Sequence, residues 1–403
     1  MKYITVNEGD SMADKRIAKK KKAFKIKKPD FKNLKIFVIV ALLFAVIIGA
    51  AYIFGGFEAA ENLLYYSRMT VDSSVISDGG FPVSFTGNDI VSVKTLSGKY
   101  FVLSKKMLTC LSSDGKPLFT ETFTFIEPQL NVGEKYGIVF DRSSSAYILF
   151  DKHGVVFRGN TDGERHIIAA TVDNKGNCAF SVKSDDSACR VYMADKKGRI
   201  KYIWSCSEEY AVSLDISPDS KKIVCGAIGA YSNEVFTKVY CLDITSEDVK
   251  EIKLNGSACI DIVFTDSNKA AVSCIDKRVI VDLKTDDGNP VETYYSGSVV
   301  QFARDFKGNA VVVTDKINAL GSDEITMYDR NNTVIYRSDI AESSEMVCIA
   351  GRYTYSLTDG IISVIGRDGS LKESLRCEVL PRGIACLGDD VCYYNLGSFK
   401  KEF

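Results

Sequence analysis

From Ile90 onward the chain repeats itself. Units open near Ile90, Gln129, Ile167, Ala211, Ala258, Val299 and Met346, at spacings of 39, 38, 44, 47, 41 and 47 residues. Inside each unit, short runs of β-branched, aromatic and apolar residues alternate with small polar turns, and no helical period persists beyond residue 85. One unit reads as strands Ile167–Val172, Asn177–Lys183, Ala188–Ala194 and Arg199–Ser205. The next reads as Ala211–Ile216, Lys221–Ile228, Val235–Leu242 and Val249–Leu254. A four-strand unit recurring every 40–45 residues or so marks a β-propeller. A single unit exposes its apolar face and its edges, and closing a ring covers both.

Turn chemistry agrees. Asp114-Gly115, Asp151–Gly154, Asp173–Gly176, Asp195–Gly198, Asp305–Gly308 and Asp368-Gly369 punctuate the strands. Asp bonds its own backbone in a turn, and Gly accepts positive φ. The seventh unit ends near Arg376, and the remaining 27 residues hold strands around Gly383–Leu387, Val391–Asn395 and Ser398–Phe403. These are too few for a blade, and Phe81–Phe85 supplies the missing strand. The expected fold is all-β: an eight-bladed propeller of four-stranded antiparallel blades, the eighth composed from both chain ends. The alternative is seven blades with the last strands packed outside.

Ahead of the propeller lies a different kind of sequence. Ile36–Phe57 holds 22 residues without a charge, about 33 Å as a helix, which spans a bilayer core of about 30 Å. A buried globular helix and a cleaved signal peptide are the alternatives. The run is longer than the 7–15 or so apolar residues of a signal peptide, and the basic stretch before it is long. Residues 1–35 carry 12 bases against 4 acids, whereas residues beyond 57 carry 39 bases against 48 acids. Bases stay on the cytoplasmic side of a membrane segment. The expected organisation is a disordered basic head at 1–35, one transmembrane helix at 36–57, a stalk or linker at 58–80 with a short helix at Glu58–Tyr66, and an extracytoplasmic propeller at 81–403. Lys25, Lys27, Lys28, Lys32 and Lys35 are placed to meet anionic lipid. Nucleic acid is not expected as a partner: the basic run has few aromatics and no folded scaffold.

This organisation resembles that of the domain-of-unknown-function family 5711 of Gram-positive bacteria. The resemblance spans residues 15–403. It rests also on Gly80-Phe-Pro-Val-Ser-Phe85, Leu111-Ser-Ser-Asp-Gly-Lys-Pro-Leu-Phe119 and Val364-Ile-Gly-Arg-Asp-Gly-Ser-Leu371. More distantly the blades are similar to quinoprotein-like and WD40-like propellers. The resemblance implies a membrane-anchored propeller and supplies no catalytic residues. The Trp-Asp blade signature is missing; the lone Trp204 precedes Ser205.

Little in the sequence points to catalysis. The two histidines, His153 and His166, cannot build a multi-histidine metal site, and neither accompanies a Gly-x-Ser-x-Gly elbow. The 12 cysteines sit singly in strand runs without a Cys-x-x-Cys pair, which reads as reduced core thiols, with disulfides as the alternative. Asp185-Asp186 and Asp286-Asp287-Gly288 are the best acidic clusters for calcium, yet both fall where turns expect Asp. No cofactor is expected. Two loops, Gly229–Glu234 and Asp315–Glu324, are extended on the face shared by the second-to-third and fourth-to-first strand connections. Tyr231, Asn233, Asn318 and Leu320 are the candidate partner contacts. The expected function is non-catalytic: binding of a protein, peptide or envelope polymer outside the cell membrane. An oxidoreductase or hydrolase, and a sensor acting through a partner, are the alternatives.

Overall fold

A computed structural model describes residues 70–161, 166–232, 234–316, 322–340 and 343–401. The basic head, the apolar run 36–57 and the helix expected at Glu58–Tyr66 lie outside the described residues, as do Lys25, Lys27, Lys28, Lys32 and Lys35. No helix among the described residues is long and apolar enough to cross a membrane.

The first strands are β1 (Val75–Ile76) and β2 (Val83–Phe85). Blade 1 holds β3 (Ile90–Leu96), β4 (Lys99–Ser104), β5 (Met107–Leu111) and β6 (Pro117–Thr122). Blade 2 holds β7 (Pro128–Val132), β8 (Tyr136–Asp141), β9 (Ala146–Asp151) and β10 (Gly154–Asn160). Blade 3 holds β11 (Ile167–Val172), β12 (Cys178–Lys183), β13 (Cys189–Ala194) and β14 (Ile200–Cys206). Blade 4 holds β15 (Tyr210–Ile216), β16 (Lys222–Tyr231), β17 (Glu234–Asp243) and β18 (Val249–Leu254). Blade 5 holds β19 (Cys259–Asp266), β20 (Lys269–Cys274), β21 (Lys277–Asp282) and β22 (Val291–Tyr294). Blade 6 holds β23 (Ser298–Arg304), β24 (Ala310–Asp315), β25 (Asp323–Tyr328) and β26 (Val334–Ile340). Blade 7 holds β27 (Met346–Ala350), β28 (Tyr353–Thr358), β29 (Ile361–Gly366) and β30 (Leu371–Arg376). The last strands are β31 (Gly383–Leu387), β32 (Asp390–Tyr394) and β33 (Ser398–Lys401). Seven sheets are four-stranded meanders, and the eighth runs β1-β2-β33-β32-β31. The ring therefore has eight blades, the last composed from both ends as expected.

Two details differ from the sequence reading. Val75–Ile76 forms a strand against β2 within the stretch expected to be linker. Gly229–Tyr231, expected in a loop, continues β16, with Gly229, Ala230 and Tyr231 paired to Phe236, Val235 and Glu234. Glycine reads as a strand breaker, but here the Phe236 ring lies over Gly229, where a Cβ would meet it at 2.5 Å. Packing across the ladder thus sustains the strand.

The core lies between blades. Apolar clusters join blades 1 and 2, 2 and 3, 3 and 4, 4 and 5, 6 and 7, 7 and 8, and 8 and 1. Among the described residues none joins blades 5 and 6; blade 5 presents only Val263, Ala271 and Ile280 as a small cluster of its own. That seam is polar. Arg278 of β21, 1% exposed, donates to Gly308 O at 2.6 Å and Asp329 O at 2.7 Å in blade 6. Asn332 Nδ2 returns to Arg278 O at 3.0 Å. Ten of the twelve cysteines are buried, and these serve the core as small hydrophobes.

Candidate functional site

The first strand of each blade lines the central channel, and five of these strands are bulged. Register shifts fall at Ile90/Ser92, Ile167/Ala169, Ala211/Ser213, Cys259/Asp261 and Val299/Gln301. A bulge re-aims the residue after it. Ser213 and Asp261 follow such bulges, and both face the channel.

There they build a polar wall. Asp261 Oδ2 meets Arg304 Nε at 2.6 Å, linking blades 5 and 6 at the axis. Ser213 Oγ donates to Asp261 Oδ1 at 3.4 Å and accepts from Ile262 N at 3.1 Å. Asp215 Oδ2 accepts from Phe264 N at 2.8 Å, so blade 4 carboxylate and hydroxyl groups cap amides of blade 5. Burial raises the Asp215 carboxyl to about 6, against the pull of Arg304 and the Phe264 and Ile216 amides. Burial disfavours the Arg304 charge, but Asp261 and Asp215 more than compensate and raise its pKa.

A cavity of about 350 Å³ opens here, lined among others by Gln129, Asn131, Arg142, Ser213, Asp261 and Arg304. A neighbouring cavity of about 270 Å³ is lined by Glu127, Arg142, His166, Lys183 and Tyr210 among others. Arg142 belongs to both. It sits in the β8–β9 turn, exposed, and no carboxylate among the described residues pairs with it. With Lys183 and His166 beside it, the channel mouth offers cationic and hydrogen-bonding groups around an exposed guanidinium, which suits an anionic group.

The candidate contacts fare unequally. Tyr231 ends β16 and is 77% exposed. The β16–β17 turn and the β8–β9 turn both join the second and third strands of a blade, so Tyr231 and Arg142 stand on one rim of the ring. Asn233, Asn318 and Leu320 lie outside the described residues. Asp186 is held by Arg190 and Ser184, and Asp286 lies 3.5 Å from Lys250. No group of three metal-ligating side chains occurs among the described residues. Sequence reading passed over Arg142, Asp261 and Arg304. A usable signal was present: Gln129, Asn131, Ser213, Asp215, Asp261 and Arg304 put polar groups into the first strand of successive units, where apolar residues otherwise recur.

Fold and channel define an eight-bladed propeller with a polar, mixed-charge axis. The sequence profile of the family of unknown function DUF5711 matches residues 82–378, and the chain belongs to that family. No curated protein matches the chain. Among solved structures the chain is similar to Saccharomyces cerevisiae Sqt1, with 9% identity and a TM-score of 0.58 over 81% of this chain and 100% of that one. It is similar to AztD from Citrobacter koseri, in its apo form, with 10% identity and a TM-score of 0.51 over 74% and 88%. It is also similar to BamB from Moraxella catarrhalis, with 7% identity and a TM-score of 0.50 over 77% and 96%. At these identities the likeness is one of fold.

Proposed function

We propose that this protein is a non-catalytic binding module, anchored by residues 36–57 with its N-terminus in the cytoplasm, whose propeller engages a protein, peptide or envelope polymer outside the bacterial membrane through an anionic group. The observation that carries the binding reading is Arg142, an exposed guanidinium shared by two adjoining cavities at the channel mouth. Tyr231, on the same rim, adds an aromatic contact of the kind that interfaces favour. The lipid bilayer is the second partner, met by Lys25, Lys27, Lys28, Lys32 and Lys35. The topology is supported by the charge imbalance across the apolar run.

The test is purification of the full chain in mild detergent from its own envelope, with mass spectrometry for partners and elemental analysis and absorbance for cofactors. A stoichiometric partner that Arg142→Glu releases supports the reading. A bound metal or chromophore with no partner overturns it. Digestion of intact cells with an added protease checks the topology separately: removal of the propeller is the expected result, and full protection refutes the outward placement.

A further inference from the structure

Cys189 and Cys206 face each other across blade 3. Cys189 opens β13, Cys206 closes β14, and the two are ladder partners. One step along the same register, Ala188 N donates to Ser207 O at 3.3 Å. Ala188 and Ser207 are therefore a hydrogen-bonded pair, which makes Cys189 and Cys206 the adjacent non-hydrogen-bonded pair. At such a pair the Cα atoms stand about 4.5 Å apart and the side chains are closest. A disulfide spans Cα separations of about 4.4–6.8 Å, so ladder partners of this kind fall within its reach. Both thiols are free and lie in the cluster between blades 3 and 4.

The surroundings differentiate the two sulfurs. They hydrogen-bond one another. Cys189 Sγ also accepts from Ala211 N at 3.3 Å and reaches Glu209 O at 3.4 Å, and the single Cys206 thiol proton is shared between Cys189 Sγ and Glu209 Oε2, the latter at 3.3 Å. Among the described thiols with shifted pKa values only Cys189 moves down, to about 7, because the Cys206 thiol and the Ala211 amide stabilise its thiolate against burial. Cys206 moves up, through the same hydrogen bond and burial. Cys206 directly precedes the exposed Ser207 and Glu208 at the rim, which shortens the path for a small reagent.

We propose that Cys189 and Cys206 form a redox pair that a small hydroperoxide converts into a cross-strand disulfide. The Cys189 thiolate attacks one peroxide oxygen, the O–O bond breaks, and a sulfenic acid forms as hydroxide leaves and takes up a proton. The Cys206 sulfur then attacks the Cys189 sulfur, and the sulfenic oxygen departs as water with the Cys206 proton. Two thiols lose two electrons, and hydrogen peroxide becomes two waters.

Cys259 and Cys274 provide an internal control. They too are ladder partners, and Ile275 N donating to Ala258 O at 3.0 Å makes them the same kind of pair. Cys259 also reaches a carbonyl, Asp261 O at 3.6 Å, as Cys189 reaches Glu209 O, but here burial outweighs every hydrogen bond and raises both groups, Cys274 to about 11.

The experiment treats the reduced full chain, in detergent at neutral pH, with stoichiometric hydrogen peroxide, followed by thiol counting and non-reducing peptide mapping. The expected result is a fall from twelve free thiols to ten, a link between the Cys189 and Cys206 peptides reversed by dithiothreitol, and Cys259 and Cys274 still reduced. In Cys206→Ser the link is lost, and Cys189 accumulates as a sulfenic acid that dimedone traps. Unchanged thiols, or a first link between any other cysteines, overturns the proposal. If the variant does not fold, the map of the unaltered chain decides alone.

Discussion

Arg278 shows how much one side chain decides. Fully buried, it offers its guanidinium to two carbonyl oxygens of the next blade rather than to a carboxylate. Burial lowers its pKa, yet the charge is kept because those carbonyls and the Tyr328 ring, 5.9 Å away, receive it. Arg278→Ala is expected to cost about 3 kcal/mol, two charge-assisted bonds' worth, read as a lower urea midpoint at unchanged slope. Asp215 acts in the opposite sense. Its carboxyl titrates near 6 in the fold, above its unfolded value, so the folded state is penalised above about pH 6 and relieved as pH falls toward 4. Asp215→Asn, which keeps an acceptor for Phe264 N, is expected to stabilise the chain by roughly 2 kcal/mol at pH 8. Thermal melts should show that gain shrinking by pH 4, and a constant gain would refute the assignment. Arg278 was not legible from sequence, and of Asp215 only its polar place in a first strand was. An Arg in a strand run reads as a surface charge, and only the facing blade reveals what it touches.

At the scale of elements the sequence was far more transparent. Strands of blade 3 fall within a residue or so of their expected places, because Asp173–Gly176 and Asp195–Gly198 bind their own backbone: Asp173 Oδ1 accepts from Lys175 N and Asn177 N, each at 2.8 Å. Such turns depend only on residues a few positions apart. The β16–β17 hairpin does not. Its last three pairs reach past the pairing of β15 and stand as a two-stranded ribbon, kept together by Phe236 over Gly229 and by Lys253 Nζ, 4.6 Å from the Phe236 ring. A breaker glycine hid this contact. Two variants separate scaffold from contact. Gly229→Ala collides with Phe236 and is expected to destabilise by about 1–3 kcal/mol in denaturant unfolding. Tyr231→Ser at the exposed tip is expected to change stability by less than about 0.5 kcal/mol while weakening capture of the partner.

For the whole molecule, closure is the decisive event. β2 pairs with β33, Val83 opposite Phe399, and Phe399 packs edge-on against Phe81 and Tyr100 at ring-centroid distances of 5.2 and 5.1 Å. Phe399→Ala is expected to cost about 3–5 kcal/mol and to broaden the melting transition, since it loosens the clasp rather than one blade. Repeat counting made the eight-bladed ring legible, because seven whole units and three spare strands leave one place for Phe81–Phe85. The unequal seams were not legible, because every unit has a similar apolar content and only the assembled ring shows which faces meet. Seven seams are apolar and the one between blades 5 and 6 is polar. Amide hydrogen exchange is accordingly expected to be faster in β23 than in β11, with the loss of protection spreading from that seam. Equal protection in the two strands would show that Arg278 and Arg304 hold their seam as firmly as apolar packing holds the others.

The composite blade also sets a timetable. Val83 leaves the ribosome about three hundred residues before Phe399, and at about 5–20 residues per second the early strand waits on the order of 15–60 s for its mate. Through that interval β2 is an open edge, and Phe81 and Phe85 have blade 1 against them but lack the cover that Phe399 supplies. A newborn chain therefore passes through a vulnerable adolescence whose length is set by translation speed. Chaperone demand, and the yield of folded protein, should follow the pace of synthesis more closely than the stability of the finished ring.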